Sequence, residues 1–70
     1  MLNSKKLNEL IMEHSGDVKS FATENGIKYT TLWNNLQSDS QLSHMKIEMF
    51  MAVSDGLGMT TEELIKELKM

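Results

Sequence analysis

Three residues in the first half of this chain constrain its folding more than any other feature. Ala22, Gly26 and Leu32 stand in the spacing Ala-x3-Gly-x5-Leu. A small Ala22 lets two helices cross closely. Gly26, after Asn25, is the residue expected where a tight turn needs positive φ. Leu32 then plugs the gap between the two helices. Val18, Phe21 and Ala22 form the inward side of the first helix, which Asp17 can cap. Leu32 and Leu36 form the inward side of the second, predicted from about Lys28 to Gln37. Residues 18–37, "VKSFATENGIKYTTLWNNLQ", therefore read as a short helix, a glycine turn and a second short helix. Each of the three spaced residues has a steric reason for its place in such a helix-turn-helix unit.

The rest of the chain is helical in pattern too. Leu7, Leu10, Ile11 and His14 recur at the spacing of one helix face, and Gly16 ends that stretch. The segment "SDSQLS", residues 38–43, reads as a polar loop, with Ser43 capping a helix over roughly 44–55. Met49, Phe50, Val53 and Leu57 are its expected core side, and Gly56 and Gly58 punctuate its end. Thr60-x-x-Glu63 is a capping box, flanked by Met59 and Leu64 at hydrophobic-staple positions. Leu64, Ile65 and Leu68 then form a stripe opposite an acidic face. No strand alternation or internal repeat occurs. The expected architecture is all-α: a compact bundle of five short helices forming one domain over residues 1–70. A chain this short buries only ~60% of its unfolded surface, so its core is thin.

Several function classes are argued against. The chain has no cysteine, which excludes disulfides and thiolate metal sites. His14 and His44 lack the companions a metal ligand set needs, so no metal or cofactor is expected. No nucleophile–base pair or glycine-rich phosphate loop occurs. Glu62, Glu63 and Glu67 read as a solvated helix face rather than a carboxylate site, and no catalytic role is expected. The apolar runs are too short to span a membrane. The start "MLNSKKLNEL" lacks the apolar stretch of a signal peptide, so a cytoplasmic location is expected. The net charge is −3, with 7 Lys+Arg against 10 Asp+Glu. That counts against nucleic-acid binding, which needs cations for phosphate contacts. The distribution weakens the objection. Residues 1–37 hold four lysines against four acids, while residues 38–70 carry the whole excess.

The segment "FATENGIKYTTL", residues 21–32, resembles the pattern F-A-x-x-x-G-I-P-Y-T-T-L of Cro/CI-type (XRE-type) helix-turn-helix repressors from phages and other mobile elements. In that variant a polar loop, an apolar helix ending A-L-G-I-S and an acidic capped helix follow. Here "SDSQLS", "GLGMT" at 56–60 and "TEELIKEL" hold those places, so the resemblance covers nearly the whole chain. Lys28 replaces the usual proline or serine, Val18 a frequent glutamine, and Asn35 a common apolar residue. The chain contains no arginine. The resemblance implies a lambda-repressor-like domain that binds a double-stranded DNA operator as a transcriptional regulator, most often a repressor.

In such a domain the second helix of the motif lies in the major groove. At about 100° per residue, Tyr29, Thr30, Trp33, Asn34 and Gln37 fall on its outward side. Asn34 and Gln37 can pair bidentately with adenine, and the Thr30 hydroxyl and methyl can meet several bases. Thr31 is counted with them as a DNA contact. Lys28, at the helix entrance, can reach a phosphate or a guanine. Lys19 and Ser20, with the free N–H groups of their helix start, are candidate phosphate contacts. Tyr29 and Trp33 also fit a packing stripe with Leu32 and Leu36, and both roles stay open.

A homodimer on a two-fold operator is expected by geometry. Ile65, Leu68 and Met70, more apolar than one small core requires, place its interface at the last helix and "IKELKM". An alternative reading, a protein-interaction module that has lost DNA binding, is motivated by the charge of −3, the missing arginine and an outward Trp33. A third is an oligomer built on the methionine-rich helix.

Overall fold

The computed structural model describes residues 1–69. Among them six helices follow one another: α1 (Ser4–Ser15), α2 (Val18–Glu24), α3 (Tyr29–Asn35), α4 (Asp39–Ser43), α5 (Ile47–Gly56) and α6 (Thr61–Leu68). The only extended pairing among the described residues is an isolated antiparallel bridge between Leu2 and Lys69. No helix among the described residues is long and apolar enough to cross a membrane.

Most helix starts are written locally. Asn3 accepts the Lys6 N–H at 3.1 Å to open α1. Asp17 caps α2 through the Ser20 N–H. At α6 the Thr60 hydroxyl accepts the Glu63 N–H at 3.1 Å while the Glu63 carboxylate accepts the Thr60 N–H at 2.9 Å. This reciprocal pair is the capping box the sequence predicts. By contrast, α3 and α5 start after Lys28 and Lys46 with no side-chain cap.

The expected five helices are six, because residues 38–43 are not a loop. Ser38 accepts the Gln41 N–H at 3.1 Å and starts α4, whose Leu42 is buried. A five-residue helix is too short to show a period in sequence, and a single buried leucine anchors it. Ser43 consequently does not cap the next helix. Its hydroxyl donates back to the Asp39 carbonyl at 3.0 Å, and α5 begins only at Ile47.

The core draws on every helix. Leu7 and Ile11 from α1 meet Phe21 and Ala22 from α2, Leu32 from α3, Leu42 from α4, Val53 from α5 and Leu64 and Leu68 from α6. Met49 and Leu57, expected inside, are half-buried against this cluster, with Phe50 and Val53 fully in it. Ser54 is also buried, its hydroxyl satisfied by donation to the Met51 carbonyl at 2.9 Å. Leu68 is 0% exposed, which removes it from any partner surface. The α1–α6 packing consumes it, helped by the Asn3 N–H donating to the Leu68 carbonyl at 2.8 Å. Ile65 does stand outward, and Met70 lies outside the described residues.

Two long-range ties hold the bundle's front. The Ser4 N–H and hydroxyl both donate to Asp39 Oδ1, at 2.8 and 2.9 Å, joining α1 to α4. These two bonds hold the Asp39 carboxyl below the usual carboxylate range. Gly56 at the end of α5 meets the turn after α2. A Cβ at Gly56 would come 2.7 Å from Asn25 Cγ, so any larger residue there would have to displace the Asn25 amide, which donates to the Phe21 carbonyl.

Candidate functional site

The α2–α3 unit is braced on its inner side and open on its outer side. Gly26 takes φ +64, and the next residue's N–H, from Ile27, donates to the Ala22 carbonyl at 2.9 Å. The Asn25 amide donates to the Phe21 carbonyl at 2.8 Å. Below the turn Ala22 and Leu32 are both buried, and Leu36 joins them just past α3. Asn35, where an apolar residue is more usual, is half-buried and donates to the Gln41 carbonyl at 3.1 Å. Its amide ties the end of α3 to α4.

On the open side, Lys28, Tyr29, Thr30, Thr31, Trp33 and Asn34 are all exposed. Tyr29 is 36% and Trp33 46% exposed, too much for core residues. Their rings stand one turn apart, with centroids 6.2 Å apart and planes inclined by 38°. This aromatic pair forms one wall of a groove of about 510 Å³. Val18, Lys19 and Ser20 of α2 line it, with Asp17 and with Asn8 and Met12 of α1. The fold thus brings Lys19 and Ser20 beside Tyr29 and Trp33, residues nine or more positions away.

Two predicted contacts are not available as expected. The helix predicted to Gln37 ends at Asn35, and the Gln37 amide donates back to the Trp33 carbonyl at 2.9 Å. Its N–H is thus occupied in closing the helix, and a bidentate grip on a base would first have to break that bond. The start of α2 is not an open anion seat either. Asp17 Oδ1 accepts the Ser20 N–H at 2.6 Å, filling the place of an incoming phosphate. Bonds from the Ser20 N–H and then its hydroxyl hold the Asp17 carboxyl below its ordinary range, keeping it ionised. Of the two expected phosphate contacts on α2, Lys19 keeps its charge outward, while Ser20 serves the cap.

One cation was missed. Lys46 lines a second groove with Lys28, Gly26 and Ile27, bordered by Glu48, Met49 and Ala52. Both lysines immediately precede helices that lack side-chain caps. Their shared position was readable, but their proximity was not. Asn8 and Met12 were missed as well, because nothing local in α1 signals that it walls the Trp33 groove.

Chemically, the surface offers amide and hydroxyl groups from Asn34, Thr30 and Thr31, apolar ring edges, and amines at Lys19, Lys28 and Lys46. No protein-family model matches the chain, and neither does any curated protein or solved structure.

Proposed function

We propose that the chain is a sequence-specific regulator that binds double-stranded DNA in the cytoplasm through a lambda-repressor-like helix-turn-helix of the Cro/CI type. The observation that carries this reading is the two-sided character of α3. Leu32 is 0% exposed, while Tyr29, Thr30, Thr31, Trp33 and Asn34 are exposed along the same seven residues. A helix held by one buried side chain and presenting polar and aromatic groups outward suits insertion into a major groove. Asn34 would grip adenine through both amide atoms, and Thr30 and Thr31 would supply hydroxyl and methyl contacts. Lys19, Lys28 and Lys46 would meet phosphates and fix the register. Occupying an operator would block polymerase, the action of a phage or mobile-element repressor.

Fluorescence-anisotropy titration against intergenic DNA flanking the chain's own gene tests the reading. Three phosphate contacts predict a log–log salt slope of about −2.7. Asn34→Ala should weaken binding by ~5–150-fold, the range of one bidentate base contact. Absence of binding even at low salt would reject DNA as the target.

One observation favours a second reading, a protein-docking module. The groove beside Trp33 holds the Asp17 carboxylate, which repels a phosphate and would attract a cationic partner side chain. Such a complex would rest on Tyr29, Trp33 and Met12 with one charge pair, and would weaken with salt far less steeply than a complex resting on several phosphate contacts.

A further inference from the structure

The outer side of α3 is defined by what it lacks as much as by what it holds. Arginine, whose fork grips the N7 and O6 of guanine, is absent from the whole chain. A carboxylate, the acceptor that meets the amino group of cytosine, is absent from residues 28–37. The cation of this stretch, Lys28, lines the groove it shares with Lys46 and not the one beside Trp33. Asp17, the carboxylate of the Trp33 groove, accepts the Ser20 N–H as the cap of α2. The side chains that mark a G·C pair are therefore missing or engaged elsewhere.

What remains suits the other base pair. The amides of Asn25, Asn35 and Gln37 donate to carbonyls of their own chain. Asn34 is exposed and, among the described residues, its amide donates to none. A carboxamide held open in this way fits the N6 donor and N7 acceptor of adenine. Next to it on the helix surface stand Tyr29 and Trp33, exposed rings whose centroids lie 6.2 Å apart. The thymine methyl is the apolar group that duplex DNA presents among its major-groove base edges. The ring separation is close to two base-pair steps of about 3.4 Å each, so the pair covers neighbouring base pairs.

We infer, on the reading of this site as a DNA reader, that α3 selects A·T pairs: Asn34 grips an adenine, and the Tyr29–Trp33 pair packs on the methyl groups of neighbouring thymines. Trp33 is then a specificity-determining residue. Thr30 and Thr31, whose methyl groups also suit thymine, support the same preference.

Selection of bound duplexes from a random-sequence pool at low salt, followed by anisotropy titration on the selected duplex, tests this. The selected sites should share a run of A·T pairs. Replacing thymine by uracil, one position at a time, removes only a methyl group. Under the ring pair it should weaken wild type by about 4-fold, the worth of one buried methyl. Trp33→Ala should bind more weakly and lose that sensitivity. Replacing adenine by 7-deazaadenine removes the N7 acceptor, and at one position it should weaken wild type while leaving Asn34→Ala indifferent. Both substituted side chains are exposed, and unchanged helical circular dichroism verifies the fold. Selected sites dominated by G·C pairs or sharing no sequence, a wild type indifferent to uracil at every thymine, or a Trp33→Ala variant as sensitive as wild type would each overturn the inference and leave DNA binding standing. A pool from which nothing is retained at low salt would overturn both.

Discussion

The α2–α3 unit and the α5–α6 end of the molecule are built on opposite principles. Helix α6 has eight residues, a reciprocal capping box and two fully buried leucines, Leu64 and Leu68. Helix α3 has seven residues, no side-chain cap and one buried side chain, Leu32. The first has its start fixed by local hydrogen bonds and anchors the core through its two leucines. The second is held only by what lies beneath it, and it leaves nearly its whole outer side to solvent. The charges divide similarly, with the acidic excess confined to residues 38–70 and the α2–α3 half balanced. Core building and open surface thus fall to different segments. A surface devoted to contacts with another molecule cannot also be devoted to the core.

The largest expected break in this division is Leu64→Ala. Removing a fully buried leucine costs about 2–5 kcal/mol. A domain of this size has about 4–10 kcal/mol in total. Urea melts should show the whole molecule weakened, and any binding by α3 lost with it, although α3 itself is untouched. If binding survived at denaturant concentrations where α6 has melted, the two ends would be independent.

A smaller effect is expected from Gly26→Ala. At φ +64 a side chain costs about 1–2 kcal/mol, and there is open space around the new Cβ, so strain is the whole effect. The melting midpoint should fall modestly while the α6 capping box stays intact. A fall as large as that of Leu64→Ala would show that the turn, and not α6, governs folding.

The smallest effect concerns pH. Asp39, held by the Ser4 N–H and hydroxyl, has its pKa lowered in the folded state. A depressed carboxylate contributes stability that is present above its unfolded pKa and lost as pH falls through the folded one. Urea midpoints should therefore decline below the ordinary carboxylate range, and Asp39→Asn should flatten part of that decline. Asp17 and Glu63, lowered by their own capping bonds, contribute in the same direction. An unchanged acid response in Asp39→Asn would show that the α1–α4 tie carries no linkage.

Much of this molecule was legible because the forces involved act within about one helical turn. The Asp17 cap and the Thr60–Glu63 box depend on residues three positions apart, and the Ala22, Gly26, Leu32 spacing spans only ten. They read directly into α2, α6 and the turn between α2 and α3. The exposed side of α3 followed from Leu32 and Leu36 being apolar at helical spacing. Gln37 was misread for a reason that is itself local. Past the end of α3 its amide closes the helix on the Trp33 carbonyl, an option that competes with reaching outward.

The tertiary structure decided the rest. Whether "SDSQLS" is loop or helix turned on a place for Leu42 in the core. Whether Leu68 faces a partner or the interior turned on α1 lying across α6. Asp39 found Ser4 35 positions away, and Gly56 met Asn25. The groove that sets Lys19 beside Trp33 exists because α1 supplies Asn8 and Met12 as its further wall. A helical period in sequence states which side of a segment is apolar. What covers that side depends on the packing of elements distant in the chain, where many faces are chemically interchangeable and only their joint fit selects one arrangement.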